Sequence, residues 1–197
     1  MNIGIDIDGV LTNLERFALD YGTKFNIEEG IKTEIHPEQY WEQEKFSWTE
    51  EQEEKFWNKY LEYYVKEQRP REFVTEIIKK LQKEGNKIYI ITARNESGLP
   101  LQHYGKMQEM TKRWLEKNNI QYEELIFTTD DKKLQHCLEN NIEIMVEDSP
   151  KNIVGISQKI PVIKFECLYN KNIEGKNIIT AYSWYHIYDI IRKMEKE

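Results

Sequence analysis

The chain has 197 residues, of which 39% are hydrophobic and 32% charged, and its formal net charge is −7. This length predicts one domain, or one domain that carries a substantial insertion. The acidic balance argues against a sequence-independent binder of duplex nucleic acid, because that function needs a basic face. No apolar run approaches the roughly 20 residues that span a bilayer, so no membrane association is expected.

The amino terminus lacks a basic region followed by a long apolar stretch, so no signal peptide is expected. Cys137 and Cys167 form neither a disulfide framework nor a metal-binding CxxC pair. These features predict a reducing compartment, the cytoplasm. The sequence leaves open whether the chain is a monomer or a homodimer.

The first predicted strand leads into IGIDIDGVLT at residues 3–12. Asp6 and Asp8 alternate with isoleucines, so an extended strand would place both carboxylates on one face, with a turn at Gly9. Two crowded acids repel each other unless a cation or proton lies between them, which indicates a metal site. An EF-hand calcium loop is excluded, because the fifth and twelfth positions from Asp6 are valine and phenylalanine.

The segment 14–70 predicts helices only, and we expect it to form a small helical cap inserted after the first strand. Thr49 and Gln52 form a capping box for one of these helices. The segment is rich in aromatic residues, which we expect to form mostly the core of the cap, with one or two free to stack on a flat group. These residues are Tyr40, Trp41, Phe46, Trp48, Phe56, Trp57, Tyr60, Tyr63 and Tyr64.

Beyond residue 70 the apolar patterns alternate between strands and helices, which is typical of a parallel α/β sheet. Strands are predicted at 87–92, 125–128, 142–146 and 161–165. Helices are predicted at 72–84, 107–117, 132–140 and 184–194. We therefore expect residues 1–13 and 71–197 to form a Rossmann-like α/β core.

Three further polar clusters follow predicted strands. Thr92 and the backbone amide of Ala93 could bind a phosphate oxygen, and a lysine of DDKK at 130–133 could offset nearby carboxylates. Glu147 and Asp148 follow an apolar strand in IMVEDSPKN. Because the carboxyl ends of parallel strands meet at one edge of a sheet, we expect all four clusters to lie together.

The order of the clusters, acid pair, threonine, lysine and acid pair, resembles the four motifs of the haloacid dehalogenase-like (HAD) superfamily. The segments DIDGVLT and EDSPKN, with a helical cap after the first motif, resemble the branch of 5′(3′)-deoxyribonucleotidases and bacterial nucleotidase-like proteins. This resemblance implies a HAD-like core. It also implies Mg²⁺-dependent hydrolysis of a phosphomonoester through an aspartyl-phosphate.

The resemblance assigns catalytic roles to two aspartates. Asp6 is the expected nucleophile, and Asp8 the expected general acid and base, with a pKa raised by its acidic neighbours. Thr92, the Ala93 amide and Lys133 are the expected phosphate-binding groups. Lys133 is preferred because its spacing to Cys137 in KLQHC resembles that in related nucleotidase-like sequences. Lys132 stays an alternative.

The resemblance also implies a metal set. Asp6, the backbone carbonyl of Asp8, and Asp148 are the expected Mg²⁺ ligands, with Asn152 supporting Asp148. Glu147 stands where the superfamily often has aspartate or glycine, which leaves open whether it binds the ion directly or through water.

The expected substrate is a small phosphorylated molecule, most naturally a (deoxy)nucleoside monophosphate, and no stable nucleic-acid partner is expected. A phosphatase for sugar phosphates or nucleic-acid ends and a non-catalytic HAD-like module remain alternatives. A receiver domain is disfavoured, because its second acidic element precedes the threonine and lysine. In the loop 94–106, Arg94 could reach the phosphate or a cap carboxylate and His103 the substrate, and Gly98 and Gly105 would allow closure.

Overall fold

The computed structural model describes residues 1–94 and 105–196. Six parallel strands form one sheet in the order β3-β2-β1-β4-β5-β6. The predicted parallel α/β fold is confirmed. The strands are β1 (Asn2–Ile5), β2 (Lys87–Thr92), β3 (Glu124–Phe127), β4 (Ile144–Glu147), β5 (Val162–Phe165) and β6 (Ile178–Ala181). The edge strand β6 was not predicted, because its four residues carry no long apolar run.

Helices pack on both faces of the sheet. Side chains of β2 show the alternation, since Ile88 and Ile90 join the apolar cluster on one face while Tyr89 and Ile91 join the cluster on the other. The helices are α1 (Leu14–Glu29), α2 (Glu42–Phe46), α3 (Glu50–Glu67), α4 (Val74–Lys83), α5 (Met107–Lys117), α6 (Lys133–Glu139), α7 (Pro150–Ser157) and α8 (Trp184–Met194). None of the described helices is long and apolar enough to cross a membrane.

Helices α1, α2 and α3 share an apolar cluster that is largely aromatic, including Phe25, Phe46 and Phe56. The capping box at the start of α3 is present, because the Thr49 hydroxyl accepts from the Gln52 amide and the Gln52 side chain accepts from the Thr49 amide. We propose that residues 14–70 are the cap. Most of the aromatic side chains of this segment lie in this cluster, which Met107 and Met110 of α5 complete.

The helical segment is fastened to the sheet at both of its ends. Thr12 and Pro70 form an antiparallel bridge. The Arg71 guanidinium donates from Nε to the backbone oxygens of Gly9 and Thr12, at 3.0 Å each, and lies over the Phe165 ring. These contacts hold the first motif and the ends of the segment together at the carboxyl edge of the sheet.

The first motif turns more sharply than the sequence indicated. Strand β1 ends at Ile5, and the chain turns over residues 7–11 with non-helical backbone angles at Asp8 and Gly9, so Asp8 lies beyond the strand. Gly9 has φ +86°, and a Cβ there would lie 1.9 Å from Oδ2 of Asp148. Glycine is therefore required both by the backbone conformation and by the close approach of the second acidic motif.

Candidate active site

The first and last motifs meet where the strand order reverses. The neighbouring strands β1 and β4 deliver Asp6 and Glu147–Asp148 to the same edge, which is where ligands bind in open α/β sheets. Lys133, at the start of α6, places its Nζ 3.0 Å from Asp6 Oδ1 and 2.8 Å from Glu147 Oε2. The preceding Lys132 is exposed, so the geometry distinguishes the two lysines.

Three buried acids form a cluster suited to a cation. Carboxylate oxygens of Asp6, Glu147 and Asp148 all lie within 4.8 Å of one another. Burial, reinforced by the charges of Glu147 and Asp8, raises the pKa of Asp6 to about 8 against the opposing effect of Lys133. Burial also raises the pKa of Asp148, and Glu147 and Asp6 add to this shift. A proton or a cation is therefore needed between these groups at neutral pH.

Asp148 keeps one oxygen available for that cation. Its Oδ1 is buried and has no hydrogen-bond partner among the described residues, whereas Oδ2 accepts from the Tyr169 hydroxyl. The Asn170 side chain donates to the Asp148 backbone oxygen at 2.8 Å, which fixes the turn. Carboxylate oxygens in this arrangement fit a hard divalent ion such as Mg²⁺. Tyr169 was missed from sequence, because it stands in a turn after β5 without any motif.

Glu147 supports the turn with both of its oxygens. Oε1 accepts from the backbone amides of Asp148 and Ser149 at 3.1 Å each, and Oε2 accepts from Lys133. The side chain is fully buried. Asn152, expected to support Asp148, donates instead to Asp130 Oδ1 at 2.9 Å.

Asp8 is held by an arginine and a tyrosine. Arg94 donates from Nη2 to Oδ1 at 2.7 Å and from Nε to Oδ2 at 2.9 Å, and the Tyr64 hydroxyl donates to Oδ1 at 2.7 Å. Burial pushes the pKa of Asp8 upward, but the Arg94 charge and these hydrogen bonds outweigh it, so the pKa lies below its ordinary value. The expectation of a raised pKa was wrong for this state, because it ignored Arg94.

Arg94 therefore reaches a core carboxylate and not a cap carboxylate. Its side chain is 4% exposed, lies over the rings of Tyr64 and Trp114, and has a buried Nη1 without a partner among the described residues. This unsatisfied donor is suited to an anion. The contact of Arg94 with a phosphate stays a prediction. The other loop residues of the prediction, Gly98 and His103, lie outside the described residues.

In the threonine motif, Thr92 is buried and the two residues after it reach the cavity. Thr92 is completely buried at the end of β2, and its hydroxyl accepts from the Arg94 amide at 3.3 Å. Ala93 and Arg94 line the adjacent cavity. Of the predicted phosphate-binding groups, the structure thus brings Lys133 into contact with Asp6 and places Ala93 on the cavity wall, with Thr92 behind them.

A cavity of about 600 Å³ lies between the sheet edge and the helical segment. Asp6, Asp8 and Lys133 line it from the core, and Tyr40 and Trp57 line it from the helical segment. This volume is in the range of pockets that bind small organic ligands. The cavity can therefore hold a phosphate together with a flat organic group.

The fold and these motifs define a HAD-like hydrolase. A HAD-superfamily hydrolase from Ehrlichia chaffeensis has a similar structure, with a TM-score of 0.58, 13% identity and coverage of 98% of this chain and 97% of that one. A HAD-superfamily hydrolase of subfamily IA from Geobacter sulfurreducens has a TM-score of 0.61 at 13% identity, with 96% and 95% covered. At these identities the likeness concerns the fold.

The sequence comparisons give the family. The model of the family described as 5′ nucleotidase, deoxy (pyrimidine), cytosolic type C protein matches residues 1–196, and the chain belongs to this family. A Bacillus cereus protein provisionally named a nucleotidase is 32% identical over 98% of this chain and 99% of its own length. A nucleotidase of Clostridium acetobutylicum is 27% identical, with 98% and 95% covered. The chain is thus a phosphatase of a HAD-like nucleotidase family, as the motif order indicated.

Proposed function

We propose that this phosphatase hydrolyses (deoxy)nucleoside monophosphates with Mg²⁺, and that Asp6 takes up the phosphoryl group. The observation that carries the proposal is the position of Asp6. Its carboxylate is paired with the Lys133 ammonium, has oxygens of Glu147 and Asp148 within 4.8 Å, and lines the same cavity as Asp8. A carboxylate so placed can meet a phosphate that enters from the cavity.

In the first half of the reaction, Asp6 attacks phosphorus and the bond from phosphorus to the leaving oxygen breaks. Lys133 and the Ala93 amide bind the non-bridging phosphate oxygens and offset the negative charge that Asp6 meets. Asp8 donates its proton to the leaving oxygen, which departs as an alcohol. The product of this half is an aspartyl-phosphate.

In the second half, Asp8 removes a proton from water, whose oxygen attacks phosphorus and displaces the Asp6 carboxylate. Inorganic phosphate leaves, Asp6 is again a free carboxylate, and Asp8 again carries the proton with which it began the first half. In the ligand-free state the Arg94 pair keeps Asp8 ionised. A phosphate dianion competes for this guanidinium, and weakening the pair raises the pKa of Asp8 toward the protonated acid that the first half requires.

Asp6, Asp148 and the backbone carbonyl of Asp8 would hold the magnesium ion. When bound, the ion neutralises charge between the nucleophile and the phosphate oxygens. Glu147 acts behind these ligands, because its oxygens are already used by Lys133 and two backbone amides.

The nucleotide assignment is supported by the family and by the aromatic wall of the cavity. Trp57 and Trp41 line the cavity and present flat apolar surface that suits a base better than a sugar. The cytoplasmic location, the absence of a stable nucleic-acid partner and the choice between monomer and homodimer stay predictions.

The proposal is tested by a phosphate-release screen with Mg²⁺ over nucleoside monophosphates, sugar phosphates and oligonucleotide ends. We expect nucleoside monophosphates to give the highest kcat/KM, and release to stop when the ion is chelated. A preference for sugar phosphates or for oligonucleotide ends would overturn the substrate assignment. No release from any substrate would favour the non-catalytic alternative.

Arg94→Gln is expected to lower kcat by roughly tenfold to a hundredfold, the effect of removing one charge-assisted hydrogen-bonded pair. Asp8 would lose both Arg94 donors and keep only the Tyr64 hydroxyl, and the cavity would lose a cation beside the phosphate. The measurement is steady-state phosphate release, with Arg113→Gln as the matched control, because Arg113 is exposed on α5. Equal kcat values for Arg94→Gln and Arg113→Gln would contradict a role of Arg94 in the mechanism.

A further inference from the structure

The turn that follows β5 is fixed by a buried lysine. Lys164 lies in β5 and is 1% exposed. Its Nζ donates to three backbone oxygens of the turn, which are those of Asn170 at 3.2 Å, Lys171 at 3.3 Å and Ile173 at 3.1 Å. A buried ammonium depends on its acceptors, because an unpaired charge in the interior is costly. The backbone of this turn is therefore held in one arrangement.

Asn170 connects the same turn to the last acidic motif. The residue is completely buried, and its Nδ2 donates to the backbone oxygens of Asp148 at 2.8 Å and Phe165 at 3.0 Å. Its Oδ1 accepts from the Cys167 amide at 2.9 Å. The adjacent Tyr169 is thus carried on backbone that is tied directly to the backbone of Asp148.

The Tyr169 hydroxyl holds one oxygen of the Asp148 carboxylate. It donates to Oδ2, while Oδ1 is buried without a hydrogen-bond partner among the described residues. The carboxylate cannot rotate about its last side-chain bond without losing the bond to Tyr169. Hydrogen bonds of this kind orient metal-binding carboxylates, and their loss commonly weakens metal binding. The hydroxyl therefore keeps Oδ1 free for a cation.

The ring of Tyr169 contacts the helical segment 14–70. Tyr40 approaches this ring edge-on, with the ring centroids 5.1 Å apart and the planes at 78°. Nζ of Lys45, a 1% exposed residue of α2, lies 5.8 Å from the centroid of the Tyr169 ring. Edge-to-face aromatic pairs and cation–π contacts both favour a defined ring position. Tyr169 thus contacts Asp148 with its hydroxyl and the helical segment with its ring.

We propose that Tyr169 is a positioning residue that couples the helical segment to the metal centre, so that Mg²⁺ binds tightly only when the segment is seated on the Tyr169 ring. This inference rests on the proposed function, because it takes Asp148 as a ligand of the ion. Tyr169 acts through Asp148 and touches neither the phosphate nor the attacking oxygen. The helical segment would then control the affinity for the ion as well as the shape of the cavity.

The hydroxyl is tested by Tyr169→Phe, which keeps the ring. We expect the Kd for Mg²⁺, measured by isothermal titration calorimetry without substrate, to rise about tenfold or more. The matched control is Tyr185→Phe, because the Tyr185 hydroxyl also donates to a carboxylate, that of Glu76, at an exposed position on α8. Its Kd should equal that of the unaltered protein. A Kd for Tyr169→Phe within twofold of the unaltered protein would overturn the inference.

The contact with the helical segment is tested from the other side of the ring pair. Tyr40→Leu removes the aromatic ring, whereas Tyr40→Phe removes only the hydroxyl, so the comparison of these two variants isolates the ring. We expect Mg²⁺ to bind Tyr40→Leu about threefold or more weakly than Tyr40→Phe, the effect of losing one edge-to-face pair. Equal Kd values for these two variants would overturn the coupling.

Rescue by the ion separates positioning from a general loss of structure. In Tyr169→Phe, phosphate release at low Mg²⁺ should be reduced, and kcat at saturating Mg²⁺ should return to within about threefold of the unaltered protein. A kcat that stays low at saturating Mg²⁺ would contradict a role through the ion. If the unaltered protein binds Mg²⁺ and releases phosphate while the Kd values do not shift, only this inference fails. If it neither binds Mg²⁺ nor hydrolyses any phosphoester, the proposed function is wrong as well.

Discussion

Replacing Asp6 by asparagine is expected to lower phosphate release by at least about 10⁴-fold, because the amide cannot form the aspartyl-phosphate. The measurement is kcat for a nucleoside monophosphate at saturating Mg²⁺. Turnover within tenfold of the unaltered protein would contradict the role of Asp6 as nucleophile.

The same substitution should leave the fold intact. Asparagine keeps the size of the side chain and removes one of three crowded acids, and Lys133 retains its 2.8 Å pair with Glu147. Thermal unfolding should therefore shift by only a few degrees. Asp131→Asn is the matched control for charge loss near the site, since Asp131 is exposed and does not line the cavity; its kcat should stay close to that of the unaltered protein.

Lys133→Met is expected to lower the free energy of unfolding by about 3–5 kcal/mol at neutral pH and to remove most activity. The lysine is 1% exposed and is the ammonium paired with both Asp6 and Glu147. Burial alone would lower the pKa of Lys133, but these two carboxylates raise it well above its ordinary value, so the lysine stays charged at neutral pH. Denaturant unfolding measures the loss.

The pH dependence of the unfolding free energy distinguishes loss of the Lys133 charge from a loss of packing. Asp6 already has a pKa of about 8 in the fold, against about 3.9 in an unfolded chain. Without the Lys133 ammonium, which lowers it, the pKa of Asp6 should rise further, so near pH 8 the folded variant binds more protons than the folded unaltered protein. The deficit of Lys133→Met should therefore shrink as the pH falls from 8 to 5. The control is Lys132→Met, at the neighbouring exposed position. Equal unfolding free energies for the two variants would contradict the account.

The positions of the strands and of the acidic motifs could be predicted from sequence because they depend on local patterns. Apolar runs before Asp6, Thr92 and Glu147 set three neighbouring parallel strands, β1, β2 and β4. Once the strands are parallel, topology alone brings their carboxyl ends to one edge. The edge strand β6 is only partly buried and lacks the apolar run of the central strands, and the five residues of α2 are too few for a helical pattern.

The pairing of side chains within the site could not be predicted in this way. Arg94 turns to Asp8, and Tyr169 to Asp148, through contacts between residues 86 and 21 positions apart. No spacing rule encodes these contacts, because they depend on how two turns meet in space. The pKa of Asp8 was mispredicted for the same reason, since the direction of its shift is set mainly by Arg94, which lies outside the motif.

The central claim is that Asp6 carries the phosphoryl group, and borohydride trapping followed by peptide mass spectrometry tests it most directly. Borohydride reduces an aspartyl-phosphate to the corresponding alcohol and leaves a free carboxylate unchanged. With a nucleoside monophosphate and Mg²⁺ present, we expect reduction at position 6, and none when substrate is omitted. Reduction at another residue, or an unmodified Asp6 in a sample that releases phosphate, would contradict the account.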